Sequence, residues 1–301
     1  MSAQIVDTYA EAFRSIYVEL LVTARDAKWL DYACLAATGH ASSTIMCDCE
    51  AGVDRYVSGD ETPDGRTGAI LQFHVPQFRK DRVAALEKAL LARISQNVLT
   101  CPTARCFQIG EPEANYFRLG RKIAYFGDGY ERLDERFGRK MWVIPTMGGE
   151  FCIDRRFGYH DGIMGGNLWF LGETEDAAIE AAEAAVGAVE KTPGCITTFP
   201  GGVAASASKA GSRYPFLFAS TYQNYCPTLR ETLGAECHVP PTVTSIMEII
   251  VNGRDLDTVA EATYRAIDAA REIPGLHSIS AGNYGGRLGK SFIHLRERAR
   301  A

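Results

Sequence analysis

Glu248 is a carboxylate set in a stretch of sequence that is otherwise building a core. It lies inside Ser245-Ile246-Met247-Glu248-Ile249-Ile250-Val251, a β-prone apolar run closed by Asn252-Gly253. A glutamate there either decorates a solvated sheet face or sits in a cleft, where burial raises its pKa and lets it carry a proton near neutrality. Two glycine-rich segments carry the groups that would serve such an acid. The first, Thr197 to Arg213, joins Phe199-Pro200-Gly201-Gly202 to the hydroxyls of Ser206 and Ser208 and the cations Lys209 and Arg213. Small residues let a ligand approach the backbone, free N–H groups donate to its oxygens, and cations attract anionic tails; a plain surface loop has the same composition. The second, Ser280 to Lys290, adds the amide of Asn283, the phenol of Tyr284 and the pair Gly285-Gly286. Asn283 either donates to a developing oxyanion or closes an Asx turn. Gly285-Gly286 meets a need for positive φ or lets a flat ligand lie against the backbone.

The elements that must position these groups are repeated. Leu168 to Gly202 aligns without a gap on Ile249 to Asn283, and the shared frame of glycine, aspartate, glutamate, proline and two further glycines falls at backbone punctuation. Each copy reads strand, helix, Pro-Gly turn, strand. In the second, the helix starts at Asp255 or Asp257, and Leu256, Val259, Ala260, Thr263, Ala266, Ile267 and Ala270 form one apolar face. Pro274-Gly275 stops it and Leu276 to Ser280 returns as a strand, parallel to the first within one sheet. Two looser copies lie upstream. Ser15 to Thr23, Asp26 to Ala37 and Ser43 to Cys47 make one set, with Asp26 as cap; Ile70 to Val75, Asp81 to Ile94 and Val98 to Cys101 make the other. Four units in two pairs predict an α+β protein of two duplicated ferredoxin-like (βαββαβ) lobes, residues 1–148 and 149–301, with segment 285–301 packing back on the first lobe.

Composition sets the surroundings. The chain is 46% hydrophobic and 23% charged, with no apolar run of the roughly 18–20 residues that span a bilayer, so a soluble protein without membrane partners is expected. Without a leader, its nine cysteines read as reduced cytoplasmic thiols. A net charge of −5 argues against nucleic acid as partner. Cys47-Asp48-Cys49 has no second ligand pair at zinc spacing, so no metal is expected. Gly285-Gly286-Arg287-Leu288-Gly289-Lys290-Ser291 ends like a phosphate loop, but Tyr284 stands where that loop needs its first glycine. Neither a paired-histidine metalloprotease helix nor a serine elbow is present.

Blocks spread along the chain resemble one family. They include Asp7-Thr8-Tyr9-Ala10-Glu11-Ala12-Phe13, Ile45-Met46-Cys47, Glu61-Thr62-Pro63-Asp64-Gly65-Arg66, Leu90-Leu91-Ala92-Arg93 and Val98-Leu99-Thr100. Asp128-Gly129-Tyr130-Glu131, Phe199-Pro200-Gly201-Gly202, Ser208-Lys209, Glu248-Ile249 and Ala281-Gly282-Asn283-Tyr284-Gly285-Gly286 continue them in order. By these motifs the sequence resembles the formylmethanofuran–tetrahydromethanopterin formyltransferases over nearly its whole length.

The resemblance implies a homotetramer of two-lobed chains that uses no metal or prosthetic group. It implies reversible formyl transfer between the amine of methanofuran and N5 of tetrahydromethanopterin, the two cosubstrates. Glu248 falls on the family's catalytic glutamate, and Phe199 to Gly202, Ser206, Lys209 and the Asn283 turn fall on segments lining its cleft. Asp48-Cys49, Cys226 and Cys237 lie where the sequence departs from the family's pattern. The mildly acidic, alanine- and arginine-rich composition points to formaldehyde oxidation in a methylotrophic bacterium, beside formylmethanofuran hydrolase subunits as partners. The alternative is a noncatalytic cofactor-binding or assembly subunit, since fold alone carries no activity.

Overall fold

A computed structural model describes residues 2–110 and 114–297. The chain is α+β and divides by contacts into two units, Arg14–Gly162 and Met1–Phe13 with Ile163–Ala301.

Arg14–Gly162 is built on strands β1 (Tyr9–Thr23, from Arg14 onward), β2 (Glu50–Val57), β3 (Gly68–Pro76) and β4 (Arg105–Gln108), with helices α1 (Ala27–Thr38) and α2 (Arg82–Arg93). All neighbours are antiparallel in the order β4-β1-β3-β2. Alternate residues of β1 and β3, among them Val18, Leu20, Leu71 and Phe73, are buried against Leu30, Ala33, Leu86 and Leu90 of the helices. Asp26 caps α1 as its sequence indicated, accepting from the Trp29 N–H at 3.0 Å. A hairpin of Arg139–Thr146 and Gly149–Asp154 extends the sheet next to β4. The division at 148/149 drawn from sequence falls in the turn of this hairpin, whose paired strands lie on one sheet, and contacts place a division at Gly162/Ile163.

Two short strands expected from sequence are turns. At Ser43 to Cys47, the Met46 and Cys47 N–H groups both donate to Ser43 O, and Glu50 Oε1 accepts from Thr44 N at 3.0 Å, so the strand begins only at Glu50. At Val98 to Cys101, the chain leaves α2 through a π turn over Ile94–Val98, which buries Ile94 and Val98 and sends Leu99 N to Ile94 O. The return strand is Arg105–Gln108.

The second unit contains β5 (His160–Gly172, from Ile163 onward), α3 (Glu175–Val189), β6 (Cys195–Thr197), β7 (Ser245–Gly253), α4 (Leu256–Ala270) and β8 (Leu276–Ser280). The order of these strands is β8-β5-β7-β6, each pair antiparallel, and the short strand Gln4–Ile5 adds to β8 in parallel. Strands β7 and β8 are each antiparallel to β5 and therefore parallel to one another across it, as the strand-helix-strand pattern requires. Asp255 caps α4, accepting from Thr258 N at 2.7 Å. The strand Ser291–His294 pairs with Tyr9–Ala12, residues of the same unit; residues 298–301 of the tail expected to pack back lie outside the described residues.

The sheet of this unit has two unlike faces. One carries Leu168, Phe170, Ile249 and Val251 under an alanine-lined helix pair, with Ala181 and Ala185 of α3 and Ala262 and Ala266 of α4 buried. The other carries Trp169, Leu171 and Ile246 beneath Tyr222, Tyr225, Val239 and Val243 of the connection between β6 and β7. Helices packed through alanine leave no space for branching. Ala266→Leu is expected to lower unfolding free energy by about 1–3 kcal/mol in urea denaturation with unchanged m, as overpacking does; an unchanged midpoint would contradict this packing.

Candidate active site

Glu248 projects from the second face of that sheet, the one not covered by α3 and α4, since its neighbours Met247 and Ile249 belong to the core under those helices. Only 6% of it is exposed, which decides against the solvated reading. Directly opposite on β5 is Trp169, and diagonally opposite is Asn167. Trp169 Nε1 and Asn167 Nδ2 both donate to Glu248 Oε1, each at 2.8 Å. Burial pushes the Glu248 carboxyl above its ordinary range, and these two donors only partly offset that. Asn167 lies 81 positions before Glu248, the offset of the internal repeat, so the two residues occupy equivalent places in the two copies.

The two glycine segments converge on this carboxylate from both sides. Ala204 pairs with Glu248 across a short antiparallel ladder from Val203–Ala204. On the other side, a Cβ at Gly282 would meet Asn167 Nδ2 at 2.6 Å and Trp169 Cζ2 at 2.8 Å, so only glycine lets this turn lie on both donors. The Tyr284 hydroxyl donates to Ser208 O at 2.6 Å and ties the segments together. Its phenol is pushed well up, first by burial and then by the negative charge of Glu248, so it stays protonated as a donor.

Other residues singled out in the sequence are positioned differently. Asn283 Nδ2 donates to Thr8 Oγ1 at 2.8 Å, which engages the amide in holding the turn. Phe199 adopts positive φ at the start of the single turn Pro200–Gly202, and Gly202 packs toward Thr197 and Val186 on the helix side. Lys209 stands in the hairpin strand Ser208–Ala210, paired with Ser220, and Ser206 is exposed just before it. Gly285 and Gly286 both have positive φ, at 67° and 71°.

The glycine pair wraps an acid that sequence reasoning passed over. Glu11, 1% exposed, accepts from the backbone N–H of Tyr284, from Gly286 N at 2.7 Å, Leu288 N at 3.2 Å and Gly289 N at 3.1 Å. Burial opposes its charge, yet four backbone donors outweigh that and hold its carboxyl below the ordinary range. The loop that resembled a phosphate cradle is thus an anion nest filled by the chain's own carboxylate.

Family models match both parts of the sequence. Residues 1–146 match formylmethanofuran-tetrahydromethanopterin formyltransferase, and residues 149–298 match the model described as FTR, proximal lobe. The chain belongs to the formylmethanofuran–tetrahydromethanopterin formyltransferase family. Among relatives so named, that of Methanocaldococcus jannaschii is 43% identical over 97% of both chains, and that of Methanopyrus kandleri 44% identical over 98% of this chain and 97% of its own. The solved formylmethanofuran:tetrahydromethanopterin formyltransferase of Methanosarcina barkeri superimposes with a TM-score of 0.92 at 41% identity, covering 98% of each chain. A chain of the formyltransferase/hydrolase complex of Methylorubrum extorquens, in complex with methylofuran, gives 0.90 at 39% identity, covering 97% of this chain and 96% of its own.

Within this formyltransferase-family chain, the residues the sequence did not yield are Asn167, Trp169, Glu11 and Thr8. Asn167 had a usable signal, because it is the repeat mate of Glu248 one position before the aligned window. No cluster of three or more His, Cys, Asp or Glu fit for a metal occurs among the described residues. In the Arg14–Gly162 unit, a recess of about 450 Å³ is lined by Arg25, Arg66 and Arg105 with Thr103, Gly148 and Glu150. Arg66 and Arg105 there share the buried Asp64 at 2.7 and 2.9 Å.

The Glu11 nest gives a pH signature. The fold holds this carboxyl below its unfolded value near 4.5, so its contribution is fully present above about pH 4.5 and drains away as pH falls through the lower, folded value. Melting curves across that range should show wild type losing its advantage over Glu11→Gln as the medium is acidified. Curves that stay parallel would deny the nest this role.

Proposed function

We propose that this chain transfers a formyl group reversibly between the amine of methanofuran and N5 of tetrahydromethanopterin, directly and without a covalent enzyme intermediate. It is an enzyme of the transferase class, and its relatives of that name span nearly all of its length. The observation that carries the mechanism is Glu248: nearly fully buried, with its carboxyl pushed up and its described hydrogen bonds coming from neutral donors. A carboxyl pushed up in this way is held toward its protonated form and can donate, which is what amine exchange at a formyl carbon requires.

The attacking amine places its lone pair on the formyl carbon while the carbonyl π pair moves onto oxygen, giving a tetrahedral oxyanion. As the oxyanion's electron pair re-forms the carbonyl, the old C–N bond breaks with its pair on the departing nitrogen, to which Glu248 delivers its proton. The proton shed by the attacking nitrogen returns to Glu248. The balance closes without water, metal or redox change. The oxyanion also needs a donor, and the N–H groups of Tyr284, Gly286, Leu288 and Gly289 are committed to Glu11. Asn283 serves there only by exchanging its Thr8 contact for the substrate.

The proposal extends to architecture and context. The β–α–β–β–α–β order in each unit, with the fourth, first, third and second strands adjacent, supports duplicated ferredoxin-like lobes. A homotetramer in the cytoplasm, without a resident cofactor, follows the family pattern. Partnership with formylmethanofuran hydrolase subunits, in formaldehyde oxidation to formate, rests on likeness to the formyltransferase/hydrolase complex. The alternative, a noncatalytic assembly subunit, would keep the chain in such a complex without activity of its own. A formyl-transfer assay on the purified chain separates the two.

Glu248→Gln keeps the shape and removes the titratable proton. Turnover is expected to fall about a hundredfold or more with the fold intact by circular dichroism; activity within about threefold of wild type would sink the assignment. Lys209→Ala should raise KM for methanofuran more than it changes kcat, because a tail contact is made equally in ground and transition states. An effect confined to the pterin would move Lys209 to the other pocket.

A further inference from the structure

We propose that Asn167 and Trp169 are positioning residues that reserve Oε1 of Glu248 as an acceptor and so make Oε2 the atom that gives and takes the proton, an assignment that rests on formyl transfer being this site's reaction. Both N–H groups reach the same oxygen, at 2.8 Å each. An oxygen that accepts two donors has its lone pairs engaged, so in the acid form the hydroxyl belongs to Oε2. The indole is a donor only and has no second orientation to offer. Proton exchange at Oε2 then leaves both donors in place and needs no rearrangement around the carboxyl.

The surroundings look built for this. Asn167 is 5% exposed, and its Oδ1 is buried without a partner among the described residues. The amide therefore satisfies Glu248 at the expense of its own other end. Trp169, 1% exposed, is held edge-on by Tyr225 at 4.7 Å and Tyr222 at 5.7 Å between ring centroids. Gly282 presses on both donors at once. The internal repeat has placed an acid in one copy and its amide partner in the other. Besides these, Tyr284 faces the carboxylate from the second glycine turn, with Glu11 beyond it, while His238 lies behind Tyr225.

The test is an infrared titration of the Glu248 carboxylic carbonyl band in the full-length protein, the band being assigned by its loss in Glu248→Gln. Each donor favours the carboxylate, so Trp169→Phe and Asn167→Leu should each raise the titration midpoint by about one pH unit, a tenfold gain in proton affinity. Each should also move the band to higher frequency, because the carbonyl at Oε1 has lost a donor. The limb of the kcat/KM profile governed by Glu248 should move with it. His238→Gln removes the one imidazole of the set and should leave the band's midpoint in place. If Trp169→Phe does not fold, Asn167→Leu decides alone. Folded variants whose midpoint and band match wild type would overturn the proposal and return both residues to plain packing. The underlying reading fails differently: Glu248→Gln would retain formyl transfer although the band in the other variants shifts, which would overturn the proton-transfer role of Oε2.

Discussion

The two 2.8 Å hydrogen bonds from Asn167 and Trp169 to one oxygen of Glu248 are the contact around which the second unit is organised. A glutamate on a bare sheet face would be wetted and ordinary. Here the connection between β6 and β7 folds Tyr222, Tyr225, Val239 and Val243 over that face, and the indole that donates to the acid is also the side chain on which that cover packs. The packing that excludes water and the polar contact that makes burial tolerable are therefore the same residue. Alanine-lined helices on the far side leave β5 and β7 little freedom to shift, which keeps the three side chains in register.

Two buried glutamates of this unit show how the donor set decides chemistry. Glu11 meets four backbone N–H groups and is held down toward its anionic form, which suits a strut. Glu248 meets two neutral side-chain donors on one oxygen and is pushed up, which suits a proton carrier. The environments push the two carboxyls apart, and roles follow from that separation. The glycine turn serves both: its amides wrap Glu11, its Gly282 abuts the partners of Glu248, and its Tyr284 hydroxyl reaches across to Ser208.

Much of this was legible in the sequence because it depends on periodicity and punctuation. The repeat, the capping aspartates, the strand holding Glu248 and the helix ended by Pro274-Gly275 all rest on local patterns. Ser43 to Cys47 and Val98 to Cys101 escaped because short apolar runs are strand-like only if something pairs with them. In the fold, Glu50 and the π turn after α2 use those segments otherwise. Asn283 was read as an oxyanion donor or the residue of an Asx turn; its partner in the fold, Thr8, is 275 residues away, and no local signal could supply it. Gly285-Gly286 was read as needing positive φ or admitting a flat ligand; both have positive φ, and the anion filling that nest comes from the opposite end of the chain. Contacts of such separation are set by topology and leave no trace in spacing.

The most direct test of the central claim, that Glu248 exchanges the proton through Oε2, is a structure of this chain with both one-carbon carriers bound. Oε2 should lie about 2.6–3.2 Å from the nitrogen that receives or releases the formyl group, with Asn167 and Trp169 still on Oε1. A ternary complex in which that nitrogen instead meets another side chain, with both Glu248 oxygens turned toward protein donors, would contradict the account.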